Sequence, residues 1–323
     1  MRIPKNLAVF SLTGFCFESP DALLKKATQF SANGSKGTVH WSSLTGQDDS
    51  KDNPIDLFRK TANTFILEAK DTRRKVNAAA AKALVKQRAL EASKSRRVSG
   101  NERMFIEASV TRELAENSAP DTFSTLVYIL PKANILLVAS TKENVYAPII
   151  KHFRNTFAGV EIGPAWSNAG RDSELLMSLM TEWVQQGLPF GLELGTRIIC
   201  CKGNEKSIFE NLDITEMDPG FLKGRQVTNL ELVYNRLITF RLSSHQELTH
   251  LRASHELKQL FLEHLGPTSD SAETESAAFV GEHFSQLIGV IDDRVSHALL
   301  LASQQQKTEA PEWVNPGLSP PSM

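Results

Sequence analysis

The 323-residue sequence has few cysteines, few aromatic residues and no long apolar segment. Its three cysteines, of which Cys200 and Cys201 are adjacent, are too few for a disulfide framework and favour a cytosolic protein. No apolar run approaches the roughly 20 residues of a membrane-spanning helix. The first residues, Met1–Asn6, lack the apolar core of a secretory signal. We therefore expect a cytoplasmic protein that has no membrane partner.

The sequence also lacks the short motifs that mark common active sites. It contains no GxxxxGK[ST] or GxGxxG phosphate-binding loop, no GxSxG nucleophile motif and no CxxC or HxxxH metal pair. His245, His250 and His255 are five residues apart, a spacing that aligns side chains on neither a helix nor a strand. We expect no catalytic residue, no metal and no cofactor, and we interpret the chain as a binding protein rather than an enzyme.

Charge is balanced over the whole chain but unevenly distributed along it. The 36 basic and 37 acidic residues give a net charge of −1. Between Lys70 and Arg97, however, ten basic residues are opposed only by Asp71 and Glu91. This segment therefore carries +8, which leaves −9 for the other 295 residues. The pattern indicates an acidic body with one strongly basic element.

The basic element has the composition of a helix. No glycine or proline occurs between Asp71 and Val98, and alanine is frequent from position 78 onward. If residues 74–97 are all helical, they form a rod roughly 36 Å long. One stripe of that rod carries Lys75, Lys82, Lys86 and Arg97. The stripe is either a solvated surface or a face that binds a polyanion. The scarcity of acidic residues raises the weight of the second interpretation, and composition alone leaves both open.

A second helix with two apolar sides is predicted at Glu102–Asn117. One row contains Met104, Phe105 and Ala108, and the other contains Ile106, Val110 and Leu114. Because one apolar row is enough to hold a helix on a surface, the second row indicates that another body packs on it. We interpret residues 70–122 as a basic helical arm that is inserted into a body formed by residues 1–303.

The strands outside this arm are predicted to form hairpins. Strands at 125–130 and 135–139 flank a tight turn, and strands at 226–233, 237–242 and 248–252 form a meander. Helices are expected at 143–157 and 173–186 and from Phe279 onward. Antiparallel hairpins and a meander packed with helices predict an α+β fold. The tail, residues 304–323, is rich in Pro, Gln and Ser and is predicted to be disordered.

An ordered set of segments carries a resemblance to a known family. The set comprises Lys5-Asn6-Leu7, the hairpin at 125–139, Thr181-Glu182-Trp183-Val184, residues 224–232, Arg236, Ile238, Phe240, Leu248, Leu251, Arg252 and the helix from Phe279 to about Val295. Because these segments occur in this order, the chain resembles the recombination-associated RdgC family over roughly residues 1–300. The members of that family are bacterial nucleoid proteins that bind duplex DNA with little sequence preference.

The resemblance implies a ring-shaped homodimer that encircles double-stranded DNA and so limits the access of the RecA recombinase. The DNA-binding residues expected on this basis, together with the basic stripe, are Arg73, Arg74, Lys75, Lys82, Lys86, Arg97, Arg225 and Arg252. The residues expected at a dimer interface are Phe105, Ile106, Val110, Leu114 and Phe123, the last as an apolar plug similar to aromatic residues of relatives. The chain departs from relatives at Lys75-Val76-Asn77, where they have Leu-Pro.

Two alternatives to DNA binding stay open at the level of sequence. The first is a protein–protein regulator that acts directly on the recombinase through its acidic surface. The second is a cryptic metal-dependent nuclease whose scattered carboxylates converge only in the folded chain.

Overall fold

The computed structural model describes residues 1, 3–14, 39–42, 44, 58–61, 63–74, 76–94, 98–166, 172–210, 219–265 and 272–308. Within these residues lie twelve strands: β1 (Leu7–Thr13), β2 (Val39–Ser42), β3 (Phe58–Lys60), β4 (Phe65–Arg74), β5 (Pro120–Leu130), β6 (Ile135–Val138), β7 (Glu161–Pro164), β8 (Leu192–Lys202), β9 (Glu205–Glu210), β10 (Gln226–Tyr234), β11 (Ile238–Ser243) and β12 (Glu247–Ala253). The same residues contain six helices: α1 (Ala78–Ser93), α2 (Gly100–Asn117), α3 (Glu143–Thr156), α4 (Asp172–Gln186), α5 (His255–His264) and α6 (Ala272–Thr308).

All twelve strands belong to one sheet, and every pairing between them is antiparallel. The strand order is β2-β4-β5-β6-β1-β12-β11-β10-β8-β9, while β3 pairs with β4 and β7 pairs with β1. The predicted α+β class, the β5–β6 hairpin and the β10–β11–β12 meander are confirmed.

One half of the sheet is buried on both faces, which explains its continuous apolar strands. In β5, Val127 and Ile129 belong to one hydrophobic cluster, and Tyr128 and Leu130 belong to another. The first cluster includes residues of α3, and the second includes residues of α6. Strands that pack on two sides need apolar residues at successive positions, so the period of two disappears from the sequence.

Helix α6 packs closely on this half of the sheet at Gly281. A side chain built at Gly281 would place its Cβ 3.2 Å from Ile66 Cδ1, Thr64 Cγ2 and Tyr128 Cδ1, so a larger residue would require these three side chains to move by a few tenths of an ångström. One turn further on, the ring of Phe284 meets the ring of Tyr128 edge to face, with 5.4 Å between their centroids. Both aromatic side chains are fully buried, and burial raises the pKa of the Tyr128 phenol.

The other half of the sheet is buried on one face. Leu230 and Leu232 of β10 are fully buried in the cluster that includes residues of α4, α5 and α6, whereas Glu231 between them is only partly buried. The same alternation places Phe240 in the core and Arg241 on the opposite side. We call this opposite side of β8 and β10–β12 the outer face of the sheet.

Two predicted boundaries are corrected by the fold. Residues 70–74 are not the start of a helix, because β4 continues to Arg74 and pairs with β5 down to Pro120. The basic helix α1 consequently has 16 residues and a length of about 24 Å. The terminal helix reaches Thr308, so residues 304–308 of the predicted disordered tail are helical, and the rest of that tail lies outside the described residues.

The half-buried carboxyl of Asp292 on α6 allows a prediction on stability. Trp166 Nε1 donates to Asp292 Oδ1 at 3.0 Å. The pKa of Asp292 lies above its ordinary 3.8, chiefly because the carboxyl is buried. The hydrogen bond from Trp166 lowers this pKa, and the nearby charge of Asp293 raises it. The stability that protonated Asp292 contributes is complete below pH 3.8 and is lost as the pH rises through the folded-state pKa.

We therefore expect Asp292→Asn, which keeps an acceptor for Trp166, to have a larger free energy of unfolding than the wild type at pH 7. The advantage should shrink as the pH falls toward 4, because wild-type Asp292 then becomes neutral as well. Urea unfolding at both pH values measures this, with Glu182→Gln, at an exposed carboxylate on α4, as the control. An Asp292→Asn variant that is less stable than the wild type at pH 7 would contradict the argument.

Candidate nucleic-acid interface

Helix α1 exposes most of its surface to solvent. It begins at Asn77, whose Oδ1 accepts hydrogen bonds from the backbone N–H groups of Ala79 and Ala80 at 3.0 and 3.2 Å. None of its residues is buried, and Lys82 and Lys86 are exposed one turn apart. Within the described part of the chain, no ion pair involves either lysine. Two unopposed positive charges therefore face solvent side by side.

An ion pair joins α1 to α2. Arg88 Nη2 on α1 lies 2.5 Å from Glu113 Oε2 on α2, and the two helices pack against each other. Helix α2 begins with a capping box, in which Ser99 Oγ accepts from Glu102 N and Glu102 Oε2 accepts from Ser99 N. The pair is thus a defined helical hairpin between β4 and β5.

Two predicted DNA-binding arginines lie at the base of this hairpin, on β4. The Arg73 guanidinium forms an ion pair with Asp71 and donates to the backbone carbonyl of Asn144 at the start of α3. Arg74 Nη1 donates to the carbonyls of Ala115 and Glu116 at 3.4 and 2.6 Å. Because the last carbonyls of a helix have no partner within it, Arg74 caps the end of α2. Arg74 therefore anchors the helical hairpin to the sheet, whereas Arg73 connects β4 to the start of α3.

The two apolar rows of α2 have different environments. Val110 is fully buried, and Ile106 and Leu114 are half-buried. Met104 and Phe105 are 64% and 76% exposed. The expectation that Val110 contacts a second chain is therefore corrected, because its side chain is already covered within its own chain. Of the two rows, the one that contains Phe105 is available for another partner.

Phe105 borders a shallow apolar pocket where the two helices of the hairpin meet. The residues that line it with Phe105 are Ala92, Val98, Asn101, Glu102 and Ile106. A second exposed aromatic residue, Phe123, lies on β5, where its exposed fraction is 42%. Its register partner on β4 is Asp71, so Phe123 is near the base of the hairpin rather than at its tip.

A second cationic group lies on the outer face of the sheet. Three arginines act electrostatically on His250, namely Arg197 of β8, Arg241 of β11 and Arg252 of β12. Burial lowers the pKa of His250, and the positive charges of these three arginines lower it further, against an opposing effect of Glu231. Arg252, which the sequence predicted for DNA binding, is exposed. Arg197 and Arg241 were missed, since only strand register brings them near Arg252.

Glu231 is the acidic partner within this cationic group. It accepts from Arg241 Nε at 2.9 Å and from Thr196 Oγ1 at 3.1 Å. Burial alone would raise the pKa of Glu231, but these hydrogen bonds outweigh burial and lower it. Gly195 makes the arrangement possible, because a Cβ there would lie 2.6 Å from Glu231 Cγ. Glu231 thus stays ionised and holds Arg241 on the outer face.

The remaining predicted DNA-binding residues have separate locations. Arg225 is half-buried immediately before β10 and acts electrostatically on Cys200. Burial raises the pKa of the Cys200 thiol to about 11, although the charge of Arg225 lowers it, so this thiol stays protonated. Lys75 and Arg97 lie outside the described residues.

The described ranges contain no group of three or more His, Cys, Asp or Glu residues placed to hold a metal ion. In the same ranges, no helix combines the length and the apolar character that crossing a bilayer requires.

These features define the class of the protein as an α+β chain that carries a basic helical hairpin on a large antiparallel sheet. A comparison with family models matches residues 5–295 to the RdgC family, described as "Putative exonuclease, RdgC". The chain belongs to the RdgC family, as its resemblance predicted. Comparison with curated proteins gave no match. Membership of this recombination-associated family supports a role related to recombination.

Proposed function

We propose that this chain binds double-stranded DNA without sequence preference, as a nucleoid-associated homodimer, and modulates recombination by limiting the access of RecA to DNA. The observation that supports it most strongly is α1, a helix with no buried residue that presents Lys82 and Lys86 without acidic partners. A stripe of like charge costs a few tenths of a kcal/mol per i,i+4 pair. A phosphate backbone reverses that cost, because each neutralised phosphate releases counterions.

Duplex DNA fits this surface better than single-stranded DNA. Proteins that bind single strands stack bases on aromatic side chains, and between Ala78 and Asn117 the hairpin has only one aromatic residue, Phe105. Lysines on an exposed helix contact phosphates, which position a protein on DNA but carry no sequence information. The expected binding is therefore uniform over sequences and strongly dependent on salt.

The cations on the outer face would supply further phosphate contacts. Arg252 is exposed, while Arg197 and Arg241 are half-buried beside it. Arg197 and Arg241 each also pair with a glutamate, Glu210 and Glu231 respectively, so they hold less unopposed charge than Lys82 and Lys86. We assign the larger share of DNA affinity to α1 and a smaller share to Arg252 and its neighbours.

The exposed row of α2 supports the proposed homodimer. Single exposed apolar side chains are common, but Met104 and Phe105 are adjacent and Phe105 borders an apolar pocket. An aromatic residue entering a pocket is the usual centre of a protein–protein contact. In a two-fold dimer the same patch serves on both subunits, so Phe105 and this pocket can be mutually complementary. Phe123 would extend the apolar contact toward the sheet.

The double variant Lys82→Glu/Lys86→Glu tests the proposal. Loss of two phosphate contacts should weaken binding to duplex DNA about tenfold or more and reduce the salt slope by about 1.8, since each contact contributes about 0.9. The loss should be equal for two duplexes of unrelated sequence. Fluorescence anisotropy at several salt concentrations measures both quantities.

The matched control is Lys151→Glu/Lys258→Glu, which makes the same change of charge at two exposed helical lysines outside the hairpin. This control should keep most of the affinity. Equal losses in the two double variants would show that net charge, rather than α1, governs binding, and an unchanged affinity in Lys82→Glu/Lys86→Glu would remove α1 from the DNA surface.

We further propose that binding occurs without catalysis, although the name of the family model mentions an exonuclease. The described residues hold no group of three or more side chains placed to bind a metal ion, which supports this proposal. Labelled linear duplex incubated with the pure protein and Mg²⁺ or Mn²⁺ should keep its full length. Progressive shortening from the ends, absent with EDTA, would instead favour the nuclease.

A further inference from the structure

Strand β12 contains a bulge that includes His250. In the pairing with β11, Thr239 faces Arg252 but Arg241 faces Thr249, so β12 has one residue more than β11 between these two pairs. The φ of His250 is 55°, in the left-handed region that few residues other than glycine adopt. A bulge changes the direction of a side chain relative to the regular alternation of the strand.

The segment before β1 holds this bulge in place. The backbone N–H of His250 donates to Asn6 Oδ1 at 3.3 Å, and the N–H of Leu251 donates to the carbonyl of Lys5 at 2.9 Å. Leu251 is buried in the core, whereas His250 is exposed. The bulge therefore presents the imidazole of His250 to solvent from a defined backbone conformation.

The charges that act on His250 come from β8, β10, β11 and β12 and are mostly positive. Arg241, Arg252 and Arg197 each disfavour a positive charge on the imidazole, and Glu231 opposes them. Glu231 also accepts a hydrogen bond from Arg241, so part of its charge is already offset. Burial first, and then the three arginines, hold the pKa of His250 below its ordinary 6.5. The imidazole is therefore neutral at pH 7 in the free protein.

We propose that His250 is a phosphate-binding residue that takes up a proton when duplex DNA binds the outer face, so that the affinity for DNA rises as the pH falls. Phosphates at this face would offset the charges of Arg241 and Arg252, which oppose protonation in the free protein. They would also accept hydrogen bonds from the imidazolium, in which both ring nitrogens are donors. Because DNA favours the protonated form, protonation must in turn favour DNA binding.

This inference rests on the proposed function, because it requires phosphates at the outer face. Lysines and arginines keep their charge between pH 6 and pH 8, so the contacts of Lys82, Lys86 and Arg252 do not depend on pH in this range. Histidine is the side chain whose charge changes there. His250 thus adds one contact that depends on pH to a set of contacts that does not.

The test compares the wild type with His250→Asn in fluorescence anisotropy with a short duplex of random sequence. Asparagine is uncharged and tolerates a positive φ, so the bulge is kept. From pH 8 to pH 6 at fixed ionic strength, the wild-type affinity should rise roughly threefold to tenfold, since uptake of one proton changes the affinity by up to about tenfold per pH unit. The affinity of His250→Asn should stay nearly constant.

The matched control is His255→Asn, at an exposed histidine of α5, which should keep the wild-type pH dependence. His250→Lys gives the converse test, because lysine stays positive throughout this pH range. Its affinity at pH 8 should reach that of the wild type at pH 6 and should not change with pH.

Two further measurements distinguish a phosphate contact from an indirect effect of pH. The salt slope of the wild type should be steeper at pH 6 than at pH 8 by up to about 0.9 for each His250 in contact, since each protonated imidazole neutralises one more phosphate. Calorimetric titration with the same duplex at pH 7, in two buffers of different ionisation enthalpy, should show proton uptake by the wild type that His250→Asn lacks.

Loss of the pH dependence in His250→Asn but not in His255→Asn, together with loss of proton uptake, would support His250 as the proton-dependent contact. Equal pH dependence in the wild type and His250→Asn would overturn it, as would a wild type that binds duplex equally at pH 6 and pH 8. The proposed function stands in both of those cases. A wild type that binds no duplex at either pH would contradict the proposed function and this inference together.

Discussion

The proposed DNA-binding surface depends on how a basic helix with no buried residue is held in place. Helix α1 gains nothing from burial in the core, and Lys82 and Lys86 repel each other along it. Its position is maintained by packing on α2, by the ion pair between Arg88 and Glu113, and by Asn77 at its first turn. Arg74 and Arg88 thus hold the hairpin in place, whereas Lys82 and Lys86 face solvent, so these basic residues have two different roles.

The sheet explains why two sets of cations are available at all. Its first half is covered on both faces along stretches such as 65–67 and 127–130, and these stretches are continuously apolar. Its second half is covered on one face, and alternation places Arg241 and Arg252 on the opposite side. Glu231 offsets part of that charge and keeps Arg241 oriented. The net charge of the body is therefore negative, although the alternation of side chains along the strands groups several arginines on one face of the sheet.

Local patterns in the sequence predicted most of the elements, and nonlocal pairing accounts for what they missed. The β5–β6 hairpin and the meander followed from alternation and turns close in sequence. Residues 70–74 precede a segment whose composition is typical of a helix, and they were predicted to belong to the helical arm. They instead form a strand, because they pair with residues 120–124, some 50 positions away in the sequence. Arg197 and Arg241 joined the candidate site only through register. The two rows of α2 were correctly recognised, but the covered one was identified only from the packed structure.

The central claim is that the chain is a dimer whose exposed cations lie against double-stranded DNA. Sedimentation equilibrium of the purified full-length protein, alone and with a short duplex of random sequence at low ionic strength, tests this most directly. We predict twice the mass of the chain without DNA, and that mass plus one duplex when DNA is added. A particle whose mass does not change in the presence of excess duplex would contradict the claim.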